Sequence, residues 1–196
     1  MLSGPVRETR VPCLPMRTFI AIDLPDALRL SLAEAQQSFR SVCPEARWTR
    51  PEGIHLTLKF LGEVTDSQLR QVVEALHGMG PLDAFPIELK GFGFFPNARR
   101  PRVFWVGVEA PPALMDLAER VERVMEKVGF MREERPFAPH LTLARFTVPR
   151  AQPALEGALA SRQPASLGRF EAAEFFLFES KLSPQGAQYR KVSRFP

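Results

Sequence analysis

The chain has 196 residues, 45% of them hydrophobic and 24% charged, with 26 basic and 22 acidic side chains for a net charge of +4. That length and balance suit a soluble globular protein of one substantial domain, or of two small lobes sharing a core, and no apolar run approaches the ~20 residues that a membrane span needs. A mild positive field suits an anionic substrate, but Arg7, Arg10 and Arg17 lie at the N-terminal end, so bulk charge alone does not specify nucleic acid.

Residues 1–16 read as a loose tail. Arg7, Glu8 and Arg10 interrupt any apolar stretch and Pro5, Pro12 and Pro15 break it further, which excludes a signal peptide. Regular patterning begins at Arg17, so Met16 is a candidate natural start and residues 17–196 form the expected bilobal domain. Cys13 and Cys43 make no disulfide framework and no metal knuckle, which points to a reduced, cytoplasmic setting.

In chain order, residues 19–24 predict a strand closed by Pro25. Asp26 predicts a cap for a helix to about Arg40, with Leu28, Leu32, Ala35 and Phe39 at helical spacing. Residues 55–61 predict a strand ended by Gly62. A helix follows over 66–79, with Leu69, Val72, Val73 and Leu76 on one face. Strands at 87–94 and 103–108 read as a hairpin, and a helix over 113–128 stops at Gly129. Residues 141–147 are strand-like, 154–160 form a short helix, and 175–179 and 188–195 are closing strands. The expected class is α+β: two pseudo-symmetric lobes, each an antiparallel sheet backed by helices, with a central cleft.

The symmetry rests on an internal duplicate. Arg50-Pro-Glu-Gly-Ile-His-Leu-Thr-Leu58 and Arg135-Pro-Phe-Ala-Pro-His-Leu-Thr-Leu143 agree at six of nine positions, at an offset of 85. The same shift lays Phe19-Ile-Ala-Ile22 over Phe104-Trp-Val-Gly107 and residues 27–42 over 112–127. One ungapped shift aligns strand, helix and motif together.

The repeated His-Leu-Thr-Leu carries the chemistry. In a strand, His55 and Thr57 share one face and Leu56 and Leu58 the other, as His140 and Thr142 do against Leu141 and Leu143. Halves related by an approximate twofold axis turn both polar faces into one cleft, bringing together two imidazoles and two hydroxyls. That set suits transfer at phosphorus. One imidazole takes a proton from the attacking oxygen and the other protonates the leaving oxygen. The hydroxyls donate to non-bridging oxygens. A metal held by the histidines with Asp23 or Glu63 is disfavoured, because His-x-Thr is not a ligand spacing. His77, before Gly78, reads as a solvated residue at a helix C-terminus. Strict alternation places Lys59 on the His55 face as a candidate phosphate contact and places Arg145 on the face opposite His140. Phe19, Phe60, Phe137 and Tyr189 are candidates for stacking a terminal base. Arg99-Arg100-Pro-Arg102 reads first as a solvated loop, with the lining of an RNA path as the alternative.

Phe19-Ile-Ala-Ile-Asp-Leu-Pro25, His55-Leu-Thr-Leu-Lys-Phe-Leu-Gly-Glu63, Pro101-Arg-Val-Phe-Trp-Val-Gly107 and Arg135-Pro-Phe-Ala-Pro-His-Leu-Thr-Leu-Ala-Arg145 closely resemble the bacterial and archaeal RNA 2′,3′-cyclic phosphodiesterases. That family, historically called 2′-5′ RNA ligases, belongs to the 2H phosphoesterase superfamily. The resemblance runs from about Arg17 to the C-terminus. It implies metal-independent action, with no cofactor, on RNA with a 2′,3′-cyclic phosphate end or on a nucleoside 2′,3′-cyclic phosphate; a monomer is expected, but the sequence leaves the oligomeric state open. It further implies opening of that ring to a 2′-phosphate, with reverse 2′-5′ ligation as the back reaction. By resemblance His55 is the proton donor, His140 the proton acceptor, and Thr57, Thr142 and Arg145 the phosphate contacts; Arg145 reaches the cleft only if its strand bulges or ends. Two alternatives remain open: action on 2′-5′ oligonucleotides or small cyclic nucleotides, and an RNA-end-binding module without turnover.

Overall fold

The structure, a computed structural model, describes residues 15–161, 166–183 and 186–196. Strand β1 (Met16–Ile22) leads to helix α1 (Asp26–Arg40), the short strand β2 (Arg47–Trp48), a single 3-10 turn (Pro51–Gly53), β3 (Leu56–Val64), α2 (Asp66–His77) and β4 (Phe85–Phe95). Then come β5 (Val103–Glu109), α3 (Pro112–Lys127), β6 (His140–Arg145), α4 (Pro153–Ala160), β7 (Ser166–Ala172), β8 (Phe175–Ser183) and β9 (Gly186–Phe195). Of the expected tail, residues 1–14 lie outside the described residues, and Met16 already pairs with Val64 in the first sheet. No helix among the described residues is long and apolar enough to cross a membrane.

Local physics accounts for most boundaries. Helix α2 opens on a capping box in which Thr65 accepts from the Gln68 backbone and the Gln68 side chain reaches back to Thr65. Helix α3 closes as expected at Gly129, whose φ of 93° is left-handed. The Gly129 and Phe130 amides donate back to the carbonyls of Glu126 and Met125, the double bond of a Schellman ending. Asp26 is not the cap of α1: Pro25 holds that place with no side-chain hydrogen bond, and Asp26 is the first helical residue.

All strand pairings are antiparallel, in two sheets of order β3-β1-β8-β9 and β2-β6-β5-β4-β7. At the offset of 85, β5 is the counterpart of β1 and β6 of β3. The two sheets are then one arrangement built twice, with β2 added at an edge. The halves are interleaved, because β4 of the first half pairs with β5 of the second and β8 of the second pairs with β1 of the first. One continuous core results, filled by Phe39, Phe104, Phe175 and Phe195. On the other face of the first sheet, Phe19, Ala21, Phe176 and Phe178 form a smaller apolar floor.

Each motif strand carries a bulge at its second leucine. Ala21 pairs with Thr57 and Ile20 with Lys59, which skips Leu58. Trp105 pairs with Thr142 and Phe104 with Ala144, which skips Leu143. The duplication therefore includes the irregularity, since 58 and 143 are also 85 apart. A bulge adds one residue and reverses the facing of the residues after it. Consecutive residues turn inward together: Leu58 with Lys59, and Leu143 with Ala144, are all buried. Phe60 and Arg145 are thereby returned to the face of the histidines, where both are exposed.

Strict alternation fails at that point, and two expectations change with it. Arg145 joins the cleft face. Lys59 turns inward: 5% exposed, it donates to Glu122 Oε2 at 2.6 Å and to the Met131 carbonyl at 2.8 Å, so it ties β3 to α3 where it borders the cleft, with its ammonium already paired.

The second bulge has its own support. The Leu143 carbonyl accepts from Gln36 Nε2 at 2.9 Å and from the Thr49 amide at 2.8 Å, and the same Gln36 amide reaches the Thr49 carbonyl at 2.7 Å. Gln36 is buried, so removing its amide takes the side-chain donor from the Thr49 carbonyl and leaves the Leu143 carbonyl with the Thr49 amide alone. Gln36→Leu is expected to lower the stability by about 1–3 kcal/mol, read as a lower denaturant midpoint with an unchanged slope.

Candidate active site

His55 enters β3 from the turn at Pro51–Gly53, and that turn is anchored by Arg29 of α1, whose guanidinium donates to the carbonyls of Pro51 at 2.9 Å and Ile54 at 3.0 Å. Arg29 is held in turn by an ion pair with Asp23, which also binds Lys191 Nζ at 2.6 Å. The residue before the first histidine is therefore fixed by a charged brace between β1, α1 and β9.

The His55 imidazole lies on the apolar floor. It stacks on Phe19 with ring centroids 4.4 Å apart, and Phe178 stacks beneath Phe19 at 5.2 Å. Tyr189 meets His55 edge-on at 5.0 Å. His140 opens β6 and rests edge-on against Phe95 at 4.8 Å, and Phe95 leans on Trp105 at 5.2 Å. Gly93, opposite Trp105 in the ladder, leaves room for that indole, because a Cβ there would come within 2.2 Å of the ring.

Both rings are oriented the same way. His140 Nδ1 donates to the Ala138 carbonyl at 2.7 Å, and the backbone of Gly53 binds the His55 ring. Gly53 and Ala138 are again 85 apart. A carbonyl partner requires N–H on that nitrogen, so the remaining ring nitrogen of His140 is the one that exchanges a proton with a ligand. Burial pushes the His55 pKa down from 6.5 to about 4, against the opposing pull of Asp23 and the Gly53 backbone. Burial also lowers His140, against the bond to Ala138. The Arg145 cation lowers both. In the free protein both imidazoles are therefore neutral near pH 7, and one cation reaches the pair.

Strands β3 and β6 approach each other across the two sheets. Between them opens a cleft of about 1380 Å³ whose walls include Thr57, Phe60, Phe95, Arg102, Phe137 and His140. Of the expected set, Thr57 and His140 line this cleft, whereas His55, Thr142 and Arg145, which belong to the same two motif segments, are not among its lining residues. The aromatic candidates separate. Phe60 is 64% exposed and Tyr189 36%, whereas Phe19 is 2% exposed, so Phe19 offers no free face for a base and is corrected to a support for His55. Phe137 is half-buried on the cleft wall and packs against the core. His77 lies against Phe195 at 4.8 Å, away from the motif strands. Phe178, Phe95 and the Asp23–Arg29–Lys191 brace escape sequence reasoning. Only the pairing of distant strands brings them to the histidines, and nothing in local spacing signals that.

Two duplicated antiparallel sheets, each with a His-Leu-Thr-Leu strand, are the architecture of a phosphoesterase of the two-histidine class, and comparison with known proteins shows that family. The LigT like Phosphoesterase family model matches twice, over residues 22–105 and 106–189, and the chain belongs to that family. The RNA 2′,3′-cyclic phosphodiesterase of Methanothermobacter thermautotrophicus is 34% identical over 186 residues, 93% of this chain and 99% of its own. That of Thermus thermophilus is 35% identical over 191 residues, 92% of this chain and 89% of its own. Among solved structures, TT0787 of Thermus thermophilus superposes with a TM-score of 0.77 at 31% identity, covering 92% of this chain and 97% of its own. E. coli LigT complexed with 3′-AMP gives a TM-score of 0.73 at 25% identity, with the same coverage.

A histidine whose folded pKa is depressed binds fewer protons folded than unfolded between the two values. Stability therefore rises with pH across that window and is lost as pH falls. For His55 the window runs from 6.5 down to about 4. Denaturant titrations at several pH values are expected to show this loss, and His55→Asn is expected to flatten it.

Proposed function

We propose that the protein hydrolyses 2′,3′-cyclic phosphates at RNA ends to 2′-phosphates, with His55 and His140 as the acid and base and no metal in the reaction. The observation that carries the reading is the shared bulge. It supports the reading by turning Arg145 to the face of His140 and Thr142, and the Arg145 charge acts on both imidazoles. A phosphodiester anion is the ligand that such a cation and two flanking imidazoles accept together.

His140, neutral, takes a proton from water as its oxygen attacks phosphorus. The bond from phosphorus to the 3′ oxygen breaks, and His55, protonated, gives its proton to that oxygen. The product carries a 2′-phosphate and a 3′-hydroxyl. Thr57, Thr142 and Arg145 bind the non-bridging oxygens, where charge accumulates. The assignment of His55 as acid follows the family resemblance. A low-pKa imidazolium is a strong donor, and its desolvation cost falls once the phosphate anion sits beside it. A divalent ion at the same place is opposed by the fixed charge of Arg145, which is why the reading is metal-independent. With a 5′-hydroxyl in place of water as the attacking group, the same step forms a phosphorus–5′-oxygen bond as the bond to the 3′ oxygen breaks, which is 2′-5′ ligation, and its reversal cleaves that linkage.

RNA ending in a 2′,3′-cyclic phosphate, incubated with and without chelator, tests the reading. Undiminished turnover in chelator is expected, as is a loss of ~10²-fold or more in kcat for His55→Ala and for His140→Ala, the usual worth of one acid–base group. Activity that dies in chelator or survives both substitutions contradicts it. The pH profile is a second check. Both free-protein pKa values lie below 6.5, and kcat/KM reports the free enzyme, so its bell is expected to peak below pH 6.5. In the complex the substrate anion favours imidazolium, so the kcat bell is expected at higher pH.

A further inference from the structure

Beyond the cleft, one charged surface is left unused by the chemistry above. Arg145 is the last residue of β6, and the residue directly opposite it on β2 is Arg47. Directly opposed residues of antiparallel strands lie on one face with Cβ atoms ~5 Å apart, and like charges there repel. No carboxylate among the described residues pairs with either guanidinium. The nearby Glu45 is engaged by Arg150, at 3.6 Å. On the other side of Arg145 the ladder places Val103, which follows the β4–β5 turn bearing Arg99, Arg100 and Arg102. That turn is tied to the same strand end, because the Phe146 amide donates to the Arg102 carbonyl at 3.0 Å. Asn97 Oδ1 accepts from the amides of Arg99 and Arg100, both at 3.1 Å, and fixes the turn. Arg47, Arg99, Arg100, Arg102 and Arg145 are all exposed, and none has an ion-pair partner among the described residues.

Several other surface arginines are neutralised: Arg132 by Glu119 at 2.7 Å, Arg169 by Glu88 at 2.7 Å, Arg190 by Glu179 at 2.8 Å. At this end of the second sheet the positive charge is uncompensated, and it is continuous with the cation assigned to the reacting phosphate. A single cyclic phosphate uses Arg145 and leaves the rest facing one another. An RNA strand supplies a phosphate at every nucleotide and satisfies the whole row.

We propose that the end of the second sheet, Arg47 on β2 together with Arg99 and Arg100 of the β4–β5 turn, is a backbone-binding track for the RNA chain that leads into the cleft. The track makes the substrate a polynucleotide end rather than a mononucleotide. It rests on the cyclic phosphodiesterase reading and adds to it the grip on nucleotides beyond the one that reacts. Contacts of this kind are sequence-independent and weaken with salt, by a log–log slope of about −0.7 per phosphate neutralised on a single strand.

The test compares a nucleoside 2′,3′-cyclic phosphate with an eight-nucleotide RNA carrying the same end, over a range of salt, for the full chain and for Arg47→Gln and Arg99→Gln/Arg100→Gln. The wild-type protein is expected to favour the oligonucleotide in kcat/KM, by a margin that shrinks with salt. Combining the three substitutions is expected to lower oligonucleotide kcat/KM by ~10-fold or more near 0.1 M salt and to flatten the salt slope by about 2, with mononucleotide kinetics unchanged. Equal losses on both substrates, or no loss on either, overturn the track. Failure of the wild-type protein to hydrolyse either substrate sinks the catalytic reading instead. Binding of the same oligonucleotide, measured by its salt slope in wild type and variants, then decides the track on its own: a slope that the substitutions leave unchanged overturns it.

Discussion

A one-residue slip in each motif strand organises the site. A regular strand from His55 or His140 would send the sixth residue of the motif to the far side of the sheet. The bulges at Leu58 and Leu143 reverse that phase, so that Phe60 and Arg145 stand on the imidazole face. In the second half the residue delivered is Arg145, a fixed cation beside the histidines. In the first it is Phe60, an exposed aromatic ring 6.0 Å from Phe19. The backbone is duplicated but the side chains delivered by it are not, and this gives a near-symmetric cleft a charged side and an apolar side.

The same asymmetry reaches the imidazoles. Each is oriented by the backbone two residues earlier, at Gly53 or Ala138. Their surroundings differ: His55 lies on stacked phenylalanines with Asp23 and Arg29 behind it, whereas His140 meets the edge of Phe95. Desolvation lowers the proton affinity of both, and in the proposed reaction an arriving anion opposes that effect. The proposed reaction therefore couples binding to protonation, charging the proposed acid when substrate is present. The interleaved sheets keep this geometry rigid, because moving one motif strand relative to the other means breaking ladders that cross between the halves.

Much of this is legible in the sequence, because the duplication is a long-range signal written in local letters. The repeat carries the equivalence of the histidines, the threonine beside each, and two related sheets. The consequences of pairing stay hidden. Alternation places both Lys59 and Arg145 on the wrong face, through one error: it runs straight through a bulge that no residue type announces. Phe19 reads as a possible platform until β8 covers it with Phe178. Strand β7 escapes the periodicity because Ser166–Ala172 mixes Leu167, Gly168, Arg169 and Phe170 without clean alternation, and it forms at an edge where only β4 supports it.

In the proposed reaction His55, His140 and Arg145 form one anion site whose occupancy sets the protonation of the imidazoles. Proton titration of the histidine rings by NMR, in the free protein and with a nucleoside 2′-phosphate bound, tests it most directly. Both cleft histidines are predicted to titrate below 6.5 when free, with His55 near 4, and at least one to move upward on binding. Ordinary values in the free protein, or values that ignore the bound phosphate, contradict the account.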